Sequence, residues 1–366
     1  MKYKIFAVPS HQTEERTSGV DFARVLQPAK YLNGYRDKDV EFKVDIFDIK
    51  DKTDWHEVAR SYDAVFLNYT TNDWGFAHMG WAIRREGKKI ILDMDDDLWD
   101  VLPDNFAHQM FKKGGDGIKN VTAICNEVDL ITCTNRYLKN VIMHNTRKNV
   151  DQVDVCPNRV DLDLYAHRPP FKDNHEIVLA HFGSSSHFVD LQEKEFEEGI
   201  NMVFKEFPNV RLKTVGALVP RYKQRWGERY DHGFGDVDVY KWIKEKFPLF
   251  MDETDIMVVP LTENTYNRCK SAIKFLESSS AKKPGVWQNI RQYREVVENG
   301  KNGFLATTAF EWYSGIKSLI EKKSLRKKMG EEAFKTASKW QAKDGAEEWA
   351  KAFKKVLTTP GNNSKV

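Results

Sequence analysis

The chain has 366 residues, 41% of them hydrophobic and 30% charged, with a formal net charge of +3. That length exceeds one ordinary core and implies two globular domains, while so mild a charge neither marks nor excludes a nucleic-acid binder. No run approaches the roughly 18 apolar residues of a membrane span, and "IFAV" at 5–8 is too short for the apolar region of a signal peptide.

Cys125, Cys133, Cys156 and Cys269 are scattered without metal-ligand spacing, so a reduced, cytoplasmic setting is expected. In chain order, β-rich runs at 4–8, 42–47, 64–68, 89–93, 130–134 and 153–156 alternate with helix-length segments. Such alternation predicts βαβ units and a mainly parallel sheet. The polar, proline-bearing stretch "CPNRVDLDLYAHRPPFKDNH", 156–175, reads as a linker. A second set of strands follows at 176–182, 211–215, 255–259, 285–288 and 304–307. Beyond about residue 325 the chain is Lys/Glu/Ala-rich, with Trp340, Trp349 and Phe353 at amphipathic helical spacing. The tail "TTPGNNSKV" reads as disordered.

The expected fold class is therefore α/β, with two Rossmann-like, doubly wound domains facing a cleft. Residues 1–165 form the first, joined by a returning helix over 340–358, and residues 166–339 form the second. Ligands of such sheets bind beyond the carboxyl ends of the strands.

The stretch "ILDMDDDLWD", 91–100, sets five carboxylates into eight residues at the end of the fourth strand. Asp93, Asp95 and Asp97 begin like a calcium loop, but Leu98 stands where that loop needs glycine. Position favours a different reading, in which the cluster, at the carboxyl end of the fourth strand, faces the cleft. A carboxylate there can take a proton from a hydroxyl or steady developing positive charge. Asp100 reads as an N-cap for a helix over "LWDVLP", and Asp97 stays open between the two roles.

The segment "PLTENTYNRCKSAIKFLESSSAKKPGV", 260–286, reads as strand end, loop, helix and next strand. In one continuous helix, Asn267, Lys270, Lys274 and Glu277 fall within about 80° of one face. Helix N-terminal N–H groups favour phosphate, Lys270 adds charge, and Glu277 can accept hydrogen bonds from sugar hydroxyls. The competing interpretation is an exposed, salt-bridged helix.

This context resembles the large retaining family four (group 1-like) of the GT-B glycosyltransferases. The resemblance rests on "DIMVVPL…NRCKSAIKFLESSSAKKPGVWQ…YREVVENGKNGFLA", "NEVDLITCTNRYLKNVI…VDVCPNRVD", "AHFGSSSHFVDLQ" at 180–192 and "SGVDFARVLQPAKYL" at 18–32. It implies the GT-B fold and a sugar moved with retention from a UDP- or GDP-sugar to an acceptor hydroxyl, with no metal and no cofactor. It further implies a donor site at Gly183, Ser184, Ser185, His187, Asn267, Lys270, Ser271 and Glu277, with Glu277 on the ribose. Asp95 and Asp96 would lie at the reacting centre, and Gly19 and Arg24 on the acceptor side.

Two departures stand out. Cys269 takes the place of the first glutamate of the family's E-x7-E pair. Ser184–Ser186 and His187 stand where the family carries Arg and Lys.

Arg24 reads either as cleft-facing or as a surface arginine. His187, with Asp190 beside it, reads either as a ligand or as a capping or surface residue. Residues 220–242, rich in Arg, Tyr and Trp, either stack on a ligand or form an amphipathic insertion. The acceptor is either a saccharide or lipid-linked glycan, or a hydroxymethylated DNA base. The basic runs Arg84-Arg85-Glu86-Gly87-Lys88-Lys89 and Lys112-Lys113 motivate the second choice. A non-catalytic nucleotide-sugar binder, motivated by Cys269, and a nucleotide-sugar epimerase are the rival readings.

Overall fold

The computed structural model describes residues 1–9, 17–47, 54–68, 73–165, 176–184, 187–233 and 238–358, with backbone only at 73–78 and 106. The chain divides into two compact units. The first comprises Met1–Arg159, Cys269–Ser271 and the chain from Ala342 onward; the second comprises Val160–Arg268 and Ala272–Gln341.

In the first unit, β1 (Lys2–Val8), β2 (Glu41–Ile46), β3 (Ala64–Asn68), β4 (Lys89–Met94), β5 (Leu130–Cys133) and β6 (Val153–Val155) form one sheet. The strand order is β2-β1-β3-β4-β5-β6, and every pairing is parallel. Every residue of β3 is buried, as is β4 from Ile90 to Met94, whereas β2 alternates buried and open positions. A central parallel strand is covered on both faces and must be apolar throughout; an edge strand need not be. The helix Ala346–Leu357 supplies part of that cover, with Trp349 and Phe353 packed edge-on against Phe66 at 5.7 and 5.1 Å.

In the second unit, β7 (Ile177–Gly183), β8 (Val210–Gly216), β9 (Tyr230–Gly233), β10 (Ile256–Val259), β11 (Gly285–Gln288) and β12 (Phe304–Ala306) pair in the order β12-β11-β10-β7-β8-β9. These pairings too are all parallel. The winding direction reverses between β7 and β10, so the carboxyl ends of those two strands flank the switch point where ligands of such sheets bind. The helices Lys194–Glu206 and Ala309–Glu321 cover the sheet, with Phe196 against Trp312 at 5.1 Å.

Three local expectations are corrected. The helix expected across "NRCKSAIKFLESSS" is two pieces, Thr265–Arg268 and Ile273–Ser280. No helix follows Asp100: residues 98–105 are turns and coil, and the next helical turn, Phe106–Gln109, is capped by Asn105. Part of the aromatic segment 220–242 is β9, an edge strand that the sequence reading missed. Residues 166–175 of the linker, 234–237 of the aromatic segment and 359–366 of the tail lie outside the described residues.

Candidate active site

In the second unit β7 ends at Gly183, in register with Gly216 of β8. Gly216 has φ +89°, and a Cβ on it would lie 1.7 Å from the Gly183 carbonyl oxygen. A Cβ on Gly183 would lie 2.8 Å from His187 Cδ2 and 2.9 Å from Lys274 Cε. β7 and β8 each end in a glycine because backbone and two long side chains close on the same point.

The polar groups around this turn are wired together. Lys274 Nζ lies 2.7 Å from His187 Nε2, and His187 Nδ1 lies 2.8 Å from Asp190 Oδ2. An ammonium only donates and a carboxylate only accepts, so His187 is neutral in this arrangement, with its proton on Nδ1. Asp190 Oδ1 accepts from Asn267 Nδ2 at 2.8 Å and from the Thr262 N–H at 3.0 Å. Gln292 Nε2 in turn donates to the Asn267 carbonyl at 2.8 Å. All these side chains are buried; Lys274 is 9% exposed. His181 on β7 is fully enclosed; burial, aided by the charge of Lys274, pushes its pKa down to about 3.

Four residues farther along the same helix as Ile273, Glu277 Oε1 accepts a 2.6 Å hydrogen bond from the Tyr165 hydroxyl. Burial raises the Glu277 carboxyl to about 7, opposed by Tyr165 and Lys274. Tyr165 is buried edge-on against Phe247 at 5.0 Å. Ser184 follows Gly183, and its carbonyl receives the His187 N–H at 3.1 Å; Ser185 lies outside the described residues. Among the expected donor groups, the second unit thus brings together Gly183, Ser184, His187, Asn267 and Glu277. Burial removes the surface interpretation of His187, and its side chain makes no capping bond to the short helix Phe188–Leu191.

Lys270 and Ser271 are not on a helix with Glu277. They group with the first unit, where Thr134 Oγ1 donates to the Cys269 carbonyl at 3.0 Å and Asn135 Nδ2 reaches the carbonyls of Cys269 and Lys270. Asn158 Nδ2 donates to Ser271 Oγ at 2.9 Å. Those carbonyls are the acceptors a continuous helix would need for its next turn, so the helix breaks there.

Arg24 is fully buried and is no surface arginine. It forms a two-point pair with Asp93, Nε to Oδ2 at 2.9 Å and Nη2 to Oδ1 at 2.7 Å, and also donates to the Cys156 carbonyl and Asn158 Oδ1 at 2.7 Å each. Its guanidinium lies 4.9 Å above the Trp349 ring. Burial opposes its charge; Asp93 more than offsets this, and the pKa rises. Asp93 also accepts from Thr132 Oγ1 at 2.6 Å and Asn68 Nδ2 at 3.3 Å. The first carboxylate of the acidic stretch is thus consumed by the core.

Asp95 and Asp96 follow β4, half-buried. Asp97 is buried, accepts the Trp99 N–H at 3.0 Å, and is pushed up to about 6, chiefly by burial. Among the described residues no three His, Cys, Asp or Glu side chains converge to hold a metal. Gly19 begins the helical stretch capped by Ser18, and among the described atoms a Cβ there would meet nothing within 4 Å. The basic run is largely charge-matched: Arg84 pairs with Glu127 at 2.9 Å, Lys89 with Asp129 at 3.3 Å and Lys88 with Asp63 at 3.7 Å. Arg85 stacks on the exposed Trp81.

Residues 190–322 match the family model "Glycosyl transferases group 1". Among solved structures it is similar to HepE of Anabaena, crystallised with UDP and glucose, at 15% identity and TM-score 0.65 over 96% of this chain and 99% of that one. It is similar to the sucrose-phosphate synthase of Thermosynechococcus elongatus at 12% identity and TM-score 0.65, over 97% and 99%. A glycosyltransferase from Rickettsia africae gives 15% and 0.64 over 98% and 99%. No curated protein sequence matches the chain. The fold is GT-B, as the motif order implied. No helix among the described residues is long and apolar enough to cross a membrane.

Sequence reasoning placed Lys274 on the polar face but did not single it out, and it missed Tyr165 altogether. Lys274 was legible as the basic residue three before the glutamate. Nothing in the sequence marks Tyr165, which lies 112 residues from its partner.

Proposed function

We propose that the protein is a retaining, metal-independent glycosyltransferase using a nucleotide-diphosphate sugar, UDP- or GDP-linked. The observation that carries this is the set Gly183, His187, Lys274 and Glu277, with His187 and Lys274 buried, beyond the carboxyl end of β7 at the sheet's switch point, in a unit that matches the group 1 glycosyltransferase model over 190–322. A glycine turn lets backbone approach a diphosphate, and a carboxyl on the following helix accepts ribose hydroxyls. The domain of residues 166–339 holds the donor, and that of residues 1–165 serves the acceptor. Asp95 and Asp96 act there, taking the acceptor proton or steadying charge on the sugar. The leaving diphosphate assists on the same face, and no covalent nucleophile is needed. The setting is cytoplasmic.

A glycan acceptor is favoured over a DNA base, because acidic partners already neutralise Arg84, Lys88 and Lys89. Counterion release needs cations available to phosphate.

The test is a thermal-shift panel of UDP, GDP and their sugars, followed by transfer assays with Glu277→Ala and with Asp95→Asn/Asp96→Asn. Stabilisation by one nucleotide series and loss of transfer in both variants, with the fold intact, are expected. Near-normal transfer by Glu277→Ala would remove the donor assignment. Nucleotide binding without any sugar release, across all donors and acceptors, would favour the binding protein that Cys269 motivates. A changed sugar nucleotide formed without acceptor would favour the epimerase.

A further inference from the structure

Lys270 was the cation the sequence offered for the diphosphate, and Arg268 is a second cation near it in the chain. Arg268 sits at the surface, paired with Glu263 at 2.5 Å. Lys270 groups with the first unit through the backbone contacts of its segment. Lys274, by contrast, is buried against the Gly183 turn, so close that no Cβ fits between them.

We propose that Lys274 is the cation that binds the donor's diphosphate, and that His187 and Asp190 are positioning residues that hold its ammonium beside the Gly183 turn. The proposal rests on the nucleotide-sugar reading above. A lysine is a point charge on a flexible four-carbon stem, so its use as an anion anchor depends on what fixes it. Here the fixing acceptor is His187 Nε2 at 2.7 Å. A neutral imidazole orients an ammonium without cancelling its charge. Asp190, at 2.8 Å from Nδ1, keeps the imidazole in the one tautomer able to accept. Asn267 and the Thr262 N–H lock Asp190 in turn. His181, buried beside His187 with ring centroids 6.1 Å apart, is held neutral and adds no competing charge. Three separate segments thus converge to aim one ammonium, and a pre-aimed group loses less entropy on binding.

The test compares binding of UDP and GDP with that of uridine and guanosine by calorimetry, in wild type, Lys274→Gln, Asp190→Asn and His187→Gln. Asp190→Asn is the sharpest variant. Its amide oxygen still serves Asn267 and Thr262, but its NH2 faces His187 Nδ1. The ring proton must move to Nε2, where it opposes the ammonium. Nucleoside diphosphate binding is expected to weaken roughly ten- to a hundredfold in Lys274→Gln and Asp190→Asn, with nucleoside binding unchanged. Nitrogen-15 spectra of His187 should switch from Nδ1–H to Nε2–H in Asp190→Asn. His187→Gln, whose amide can accept from Lys274 and donate to Asp190, should stay within about threefold of wild type.

Equal loss of nucleoside and nucleoside diphosphate affinity would make the relay merely structural and overturn the proposal. So would unchanged diphosphate affinity in Lys274→Gln and Asp190→Asn, and in that case the nucleotide-sugar reading would still stand on wild-type binding. Absence of UDP and GDP binding by wild type would overturn both.

Discussion

The Tyr165 hydroxyl donates a 2.6 Å hydrogen bond to Glu277 Oε1, joining the loop before the second unit's first strand to the helix after its switch point. A carboxylate with one oxygen committed in this way presents the other in a fixed direction. Tyr165→Phe keeps the ring against Phe247 and removes only the donor. Nucleoside diphosphate affinity is expected to fall about fivefold, with a stability loss of about 1 kcal/mol. Titration and thermal melts check it; unchanged affinity would show that Tyr165 does not aim Glu277.

Glu277 also sets a pH dependence. Its carboxyl is raised to about 7, chiefly by burial. In the proposed donor site this carboxyl would accept ribose hydroxyls best when ionised, so donor binding should strengthen as pH rises from 6 to 8 and then level off. The stability effect has the opposite sign. A carboxyl raised in the folded state binds more protons there than in the unfolded chain, so this group's contribution falls as pH rises from the ordinary carboxyl range towards 7. Glu277→Gln should flatten the binding profile; a sloping profile in that variant would assign the titration to another group.

The Arg24–Asp93 pair has no solvent-exposed side-chain surface on either member. Arg24→Met strands the Asp93 charge in the core, leaving it Thr132 and Asn68 among the described residues. A loss of about 3–5 kcal/mol is expected. Arg24→Met combined with Asp93→Leu should cost less than the sum of the two single changes, because no charge remains stranded. Calorimetric melts of the three variants decide it, and strict additivity would deny the coupling.

Asp97 gives a stability test with a defined window. Its pKa is raised to about 6, above the ordinary value near 4. Between those values the folded chain holds the extra proton, so the contribution of Asp97 to stability drops as pH rises from 4 to 6 and stays low above. Asp97→Asn keeps an oxygen for the Trp99 N–H and removes the charge. The variant should gain about 1–3 kcal/mol over wild type at pH 7.5 and much less at pH 4. A gain independent of pH would mean the carboxyl titrates normally.

The strands were legible because their information is local. The sequence expected strands at 64–68 and 285–288, and both were found at those bounds, since parallel strands buried on both faces are short apolar runs between polar turns. The edge strand Tyr230–Gly233, "YDHG", has no such pattern; only neighbouring β8 makes it a strand. The break at Cys269–Ser271 contains no glycine or proline. Helical periodicity runs through it, and the interruption comes from Thr134 and Asn135, more than 130 residues away. Arg24 and Asp93 were each noticed, but separately. No rule of spacing links residues 69 apart, so a core ion pair was read as an acceptor-side arginine and one acid among several. Asp100 shows the reverse error: a good capping residue without the helix to cap.

The helix Ala346–Leu357 seals the first sheet, with Trp349 and Phe353 lying on Phe66. On the ribosome Phe66 emerges long before its cover is made. At synthesis rates of roughly 5–20 residues per second, tens of seconds separate the two. Until then the apolar face of the first sheet stands open, a surface for chaperones to shield or for neighbouring chains to misuse. Nascent chains stalled before residue 346 should be captured by hydrophobic-surface chaperones, whereas chains extended past residue 357 and clear of the exit tunnel should not.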